Sequence, residues 1–357
     1  MFRSLVRKSY SIFFVFLFAS LTVFAGDLED GMALYEKQQY KEAFPLIEKA
    51  AKIGNAEAQF QLGKMYRHGQ GTKQDDKKAV EWYTKSAEQG NAWAQNNLGH
   101  MYKHGLGVKK NEEIAVKWYT KSAEQGDWVA QQNLGAMYEK GSGVKKDLTK
   151  AFDWYLKAAE QGDKETQYKV GFAYQEGLGV EKNYARAMYW FKKSADQGVV
   201  FAYYAVGIMY NFGRSVPVDV DEAVKWYTKA ADKGDLPSQV NLCAIYLKKG
   251  TSDKKEFEPA LKWCSLAYEN GDRGNAPFGV GYIYLRGYTD ERTDYRKAFE
   301  MFSIASENGK AIADFYLGVM YEFGFGVEKD MDKAISLYES SAEQGITLSK
   351  KRLSKLK

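Results

Sequence analysis

The chain holds little with which to bind a metal or run a reaction: 3 histidines and 2 cysteines in 357 residues. The histidines are His68, His100 and His104. His100 and His104 stand four apart on one helical stretch, a spacing zinc can use, but two ligands are too few and no cysteine or third histidine completes a set. His68 and His104 share one column at a helix end, where an imidazole faces the terminal carbonyls favourably. No metal site and no cofactor are expected. Motifs of catalysis are missing too: there is no Gly-x-x-x-x-Gly-Lys-Ser/Thr, no His-Glu-x-x-His and no Gly-x-Ser-x-Gly, and the Ser-x-x-Lys strings, such as Ser142 to Lys145 in a glycine loop, do not support serine acylation. With no convergent reactive groups, no catalytic residue is assigned and the reading is non-enzymatic.

No apolar run reaches the about 20 residues that a membrane-spanning helix needs. The longest, from Ile12 to Phe24, is broken by Ser20 and Thr22; Arg3, Arg7 and Lys8 precede it and Val23-Phe24-Ala25 closes it. This is the pattern of a secretory signal peptide cut after Ala25, which would place the mature chain in the periplasm of a Gram-negative bacterium or outside the cell. A retained anchor is the weaker reading, and no cysteine near the cut supports a lipid anchor. Large charge of one sign is missing as well. The formal +5 includes three cations in residues 1–25 and five in the last eight residues, so residues 26–345 hold 43 basic against 46 acidic side chains, or −3. That balance argues against nucleic acid as a partner. Membrane contact is expected only through the signal peptide before cleavage, or weakly through the basic residues 346–357, which read as a solvated tail or a capping helix.

What the chain has in abundance is repetition. AVEWYTKSAEQG at 79–90 returns as AVKWYTKSAEQG at 115–126, and closing glycines at 54, 90, 126, 162, 198, 234, 271, 309 and 345 are 36 to 38 residues apart. Within one copy, Ala94, Leu98, Met101 and Tyr102 form one helical stripe and Ala115, Trp118, Tyr119 and Ala123 another, so each unit is a pair of amphipathic helices. Gly-x-Gly-Val strings such as HGLGVKK turn the chain between them. Asp75, Asn111, Asp147, Asn183, Asp219, Asp294 and Asp330 stand where N-caps belong. Small residues at Gly99, Ala115 and Ala123 allow the two helices to approach closely. A single pair still leaves one face bare, and stacking the next pair covers it.

The string A-Q-N-N-L-G-H-M-Y-K-H-G-L-G-V followed by A-V-K-W-Y-T-K-S-A-E-Q-G resembles the Sel1-like repeat, a relative of the tetratricopeptide repeat with a longer inter-helix loop. The resemblance covers residues 55–345 as eight repeats and implies an all-α, right-handed α/α superhelical solenoid. Residues 26–54 read as a shorter hairpin that caps the first repeat. The sixth copy departs from the pattern: KKGTSDKKEFEPA replaces the Gly-x-Gly-Val loop and Glu256 replaces the cap. The seventh is lengthened around Asp272-Arg273-Gly274.

Both cysteines lie in the irregular sixth copy, Cys243 in the small glycine column of its first helix and Cys264 in the second aromatic column of its second. These columns face each other, so a disulfide is expected in an oxidising compartment, the other outcome being two buried free thiols.

By tetratricopeptide geometry, the first helices line the concave side and present three columns to it. These hold Phe60, Lys64, Arg67, Asn96, His100, Lys103, Gln132, Ala136 and Glu139 early in the chain. Later they hold Tyr168, Phe172, Gln175, Tyr204, Ile208, Asn211, Phe278, Tyr282 and Leu285, with Trp93 and Phe201 one column earlier. A polar, basic-tinged half thus passes into an aromatic half. A column that holds Lys64, His100 and Ala136 is not sealed from water, so Phe172, Ile208 and Tyr282 in that column read as partner anchors. The expected partner is a protein or peptide bound at Tyr168, Phe172, Gln175, Phe201, Tyr204, Ile208, Asn211, Phe278 and Tyr282. Two roles fit: an exported scaffold that recruits envelope or secreted proteins, or an inhibitor of immunity type that occludes a toxic enzyme or restrains a sensor. Cleavage after Ala25 predicts an exported chain whose intact mass begins at Gly26; a mass that retains residues 1–25 would count against export with processing.

Overall fold

A computed structural model describes residues 26–287 and 293–356. The expected signal peptide, residues 1–25, lies outside the described residues, as does Lys357 of the basic tail. The chain divides between Asn183 and Tyr184 into two compact units. The first holds α1 (residues 26–36), α2 (Tyr40–Lys52), the hairpins α3 (Ala56–His68) with α4 (Asp76–Glu88), α5 (Ala92–His104) with α6 (Glu112–Glu124) and α7 (Trp128–Lys140) with α8 (Leu148–Glu160), then α9 (Lys164–Glu176). The second opens on α10 (Tyr184–Asp196) and continues with α11 (Val200–Asn211) and α12 (Val220–Ala231). It then runs through α13 (Leu236–Gly250), α14 (Phe257–Glu269), α15 (Asn275–Arg286), α16 (Tyr295–Glu307), α17 (Ala311–Phe323), α18 (Met331–Glu343) and α19 (Thr347–Leu356). No strand occurs among the described residues, and the architecture is an all-α solenoid of tandem helix pairs.

Helix boundaries follow from the punctuation in the sequence. The side chains of Asp75, Asn111, Asp147, Asp219, Asp294 and Asp330 each accept the amide three residues on, as the cap pattern requires. Each such cap contributes about 1 kcal/mol. The cap's own amide donates back to a tyrosine carbonyl on the first helix, Asn111 to Tyr102 at 2.9 Å for instance, which pins the loop at both ends. Asn55, Asn91, Asp163 and Asp235, after the closing glycines, cap the first helices in the same way, and Asp127 accepts the amide two residues on.

Inside each hairpin a glycine faces an aromatic ring. A Cβ placed on Gly63, Gly99, Gly135, Gly207, Gly281 or Gly318 would sit between 2.6 and 2.9 Å from the ring of Tyr83, Tyr119, Tyr155, Tyr227, Phe302 or Tyr338 respectively. These rings are buried. Ser86, Ser122 and Ser341 fasten the open end of the hairpin by donating to the carbonyls of Ala56, Ala92 and Ala311. In the sixth repeat Cys243 and Cys264 take the glycine and ring positions, and their sulfurs are paired at 2.09 Å with the Cα atoms 4.8 Å apart. There α13 runs on to Gly250, which meets Phe257, and a short 3-10 turn at Lys254–Glu256, capped by Asp253, substitutes for the missing cap ahead of α14.

Two devices join one repeat to the next. The second loop glycine packs on the start of the preceding second helix: a Cβ on Gly107 would overlap the backbone of Asp76, and Gly143, Gly179 and Gly326 meet Glu112, Leu148 and Tyr295 likewise. Ser215 replaces that glycine in the fifth repeat and keeps the left-handed backbone at φ 69°. The second device is a buried ladder of amides. Gln95 Nε2 donates to the Ala87 carbonyl at 3.0 Å, while Gln125 Nε2 of the next second helix donates to Gln95 Oε1 at 2.7 Å. Gln59, Gln131, Gln167 and Gln239 make the same reach to Ala51, Ala123, Ala159 and Ala231. A buried amide is tolerated only when so satisfied, which gives the recurring Ala-Gln and Glu-Gln-Gly strings a physical cause.

The C-terminal basic residues, expected as a solvated tail or a capping helix, are helical from Thr347 to Leu356 and pack on α18. Ser349 is buried, and Arg352 Nε donates to Glu322 Oε2 at 2.8 Å, beside the bond from the Tyr338 hydroxyl to the same oxygen. Burial alone would raise the Glu322 pKa, but the hydrogen bonds from Arg352 and Tyr338 hold it below the ordinary carboxylate value. The charge thus docks α19 against α17, because a buried carboxylate there needs a cation.

Backbone strain and packing can be separated at two glycines. Gly90 (φ 94°) has open space where a Cβ would point, whereas Gly107 (φ 70°) has the Asp76 backbone. Gly90→Ala should cost only the left-handed penalty of about 1–2 kcal/mol. Gly107→Ala should cost about 1–3 kcal/mol more, through overpacking. The urea midpoints of the two variants check this order.

Candidate partner-binding surfaces

In the first unit the first helices place polar and aromatic side chains on one face. A hollow of about 420 Å3 is lined by Phe60, Trp93, Asn96, Asn97, Trp128 and their neighbours. Trp93 is 59% exposed and Trp128 42%, although the Trp93 ring keeps a 6.0 Å contact with Phe60. Sequence reasoning underrated this end: Trp93 was legible one column off the groove, and Trp128 falls at the very start of its helix, where no periodic stripe marks it. A second hollow of about 240 Å3 lies between Arg67, His68, Tyr83, Asn97, His100 and Met101. The His100 and His104 rings stand 4.4 Å apart. Burial first, then His104, Arg67 and Lys103, pushes the His100 pKa below its ordinary value, so the imidazole is neutral at pH 7. Among the described residues no group of three or more His, Cys, Asp or Glu side chains could hold a metal ion.

The third hollow, about 90 Å3, is where the sequence placed anchors. Tyr168, Lys169 and Phe172 on α9 line it with Glu139 and Tyr155. Phe172 is 41% exposed, while Tyr168 and Gln175 are half-buried. Glu139 accepts the Tyr155 hydroxyl at 2.8 Å, and Lys169 Nζ lies 4.7 Å from the Tyr155 ring centroid. Burial, then Glu139, pushes the Tyr155 phenol pKa up. Lys103, half-buried, is held below the ordinary ammonium value by burial and by Lys140; Glu112 acts in the opposite sense and Lys169 adds to the lowering.

In the second unit the sequence-assigned residues divide. Phe201 is 61% exposed. Tyr204, Ile208 and Asn211 are half-buried; Tyr204 lies 5.9 Å from the Tyr227 ring, and Ile208 packs against the same core as Cys243 and Cys264. Phe278 and Tyr282 belong to a ring cluster with Phe302 and Tyr316 at 5.7 to 6.3 Å between centroids. The cause is local: Tyr316 stands in a column that earlier copies fill with the small or polar Gln61, Asn97, Asn133, Lys169, Ala205, Asn241 and Gly279. Phe212 and Phe323, in the helix-end column where the first unit has His68, His104 and Lys140, are exposed and escaped the sequence reading.

The repeat geometry now has a name. A family model for the Sel1 repeat matches residues 56–91, 94–127, 128–163, 164–199, 200–235, 236–272, 276–310 and 311–346. The chain belongs to the Sel1 repeat family. Sel1 repeats typically mediate protein–protein interaction, and the family is generally non-catalytic. A protective antigen of uropathogenic Escherichia coli strains with the same fold is 29% identical, covers 93% of this Sel1 chain and 79% of its own, and superposes with a TM-score of 0.64. A Sel1 repeat protein from Oxalobacter formigenes is 36% identical over 68% of this chain and 99% of its own, with a TM-score of 0.56. No curated protein matches the chain significantly.

Packing anchors and surface anchors should separate by stability. Phe278→Ala, inside the ring cluster, should cost about 2–4 kcal/mol. Phe172→Ala should cost under about 1 kcal/mol, since much of its ring already meets water. Equal losses in urea unfolding would show that Phe172 is core.

Proposed function

We propose that this Sel1-repeat chain is an exported, non-catalytic scaffold that binds a protein or peptide partner along the face carried by its first helices. The observation that carries the reading is Phe172, an exposed phenylalanine beside a hollow, in a column that holds Lys64, His100 and Ala136 in the preceding repeats. A phenylalanine there lowers solubility without closing the core, and such a ring is recovered by burial against a partner. Phe201, exposed on α11 of the second unit, supports the same reading independently. The Cys243–Cys264 pair, oxidised, belongs with export, and the signal-like residues 1–25 supply the route.

The test is capture. The mature chain, immobilised, is challenged with envelope extract, and its captured proteins are compared with those of Phe172→Ala and Phe201→Ala, each made singly and checked by circular dichroism. Loss of a saturable partner by either folded variant supports the reading, with an expected weakening of about tenfold or more per hot-spot ring. Unchanged capture by both would remove these residues from the interface, and no saturable partner for the parent chain would remove the scaffold role.

A further inference from the structure

Several cations of the first unit have a carboxylate partner: Lys110 on a loop pairs with Glu112 at 2.8 Å, Arg67 on α3 with Asp76 at 3.0 Å, and Lys78 and Lys150 lie near Asp75 and Asp147. Four lysines of the first helices have none. Among the described residues no carboxylate lies within ion-pair distance of Lys64, Lys103, Lys140 or Lys169. Lys64 instead leans on the Tyr35 and Phe60 rings, and Lys169 on Tyr155. Of the acids in the same columns, Glu139 is already bonded to the Tyr155 hydroxyl, and Glu176 accepts from Gln175. Lys103 is half-buried, with Lys140 and Lys169 acting on it as like charges and Glu112 opposing them, so these ammonium groups present positive potential without an ion-pair partner.

The same face carries what an extended polypeptide needs besides charge. Asn96 Oδ1 accepts from Asn133 and Gln132 Nε2 donates to Thr166 and Asp163, which leaves the Asn96 amide nitrogen and the Gln132 amide oxygen to meet a peptide backbone. The hollows beside Trp93 with Trp128 and beside Phe172 accept apolar side chains. Resting on the scaffold reading, we propose that the first unit binds an acidic, extended polypeptide segment whose carboxylates meet Lys64, Lys103, Lys140 and Lys169 and whose apolar residues enter the adjoining hollows. Charge complementarity selects the partner; the rings supply the grip.

Fluorescence anisotropy on the full mature chain tests this with a labelled peptide of about twelve residues, roughly 40 Å when extended, that alternates glutamate with leucine. A counterpart with glutamine for glutamate and a labelled oligothymidine are run in parallel. The glutamate peptide should bind at least about tenfold more tightly than the glutamine peptide, and should weaken as salt rises. Lys103→Glu with Lys169→Glu should lose about tenfold or more, the milder Lys103→Gln a smaller factor, and Lys117→Glu on α6 should change nothing. Equal binding of the two peptides overturns the proposal, as does tighter binding of the oligonucleotide lost in the same variants. If the captured partner is kept by the charge-reversed chain but lost by Phe172→Ala, the acidic segment is refuted and the scaffold stands.

Discussion

A glycine with a buried ring against it is the constraint on which each hairpin depends. Where Gly99 meets Tyr119, no methyl group separates the helices, and the ring fills the space that the missing side chain leaves. The remaining consensus follows from this close approach. Alanines on the second helix are small for the same reason, and the serine at its end reaches a carbonyl on its partner helix because the two backbones are near. The sixth repeat shows the constraint by exception: Cys243 and Cys264 occupy the glycine and ring positions and meet each other instead.

Stacking imposes a second, separate demand. Loop glycines such as Gly107 sit on the backbone of the preceding second helix, and the glutamine ladder runs through the junction. Apolar burial alone would let repeats slide, since it is non-directional. The amides have fixed partners and a high cost when unmatched, so they select one register. The first helices carry exposed rings such as Trp93 and Phe172 beside lysines that have no ion-pair partner.

The repeat, its period, the caps and the helix pairs were legible because each rests on local chemistry repeated many times. Asp147 caps α8 and Gly143 turns the loop whatever the rest of the chain does. The candidate surface was legible in part. Phe172 stands out because its column holds lysine and histidine elsewhere, a comparison the repeat itself supplies. Phe278 and Tyr282 looked equivalent in sequence, yet Phe302 and Tyr316 from neighbouring helices gather around them. The exposed indole of Trp128 carried no signal, because a helix's first residue belongs to no stripe.

The sequence by itself determined the helix pairs, their length, their ends and the small residues that let them touch, since hydrogen-bond capping and hydrophobic period act over a few residues. Only the tertiary structure decided which rings are covered, which lysines lack a carboxylate and where the basic terminus rests. Arg352 could have been solvated; it is held against the repeats because Glu322, thirty residues away in sequence, is buried within its reach. Exposure and charge balance are sums over neighbours brought together by folding, and no single stretch of chain contains them.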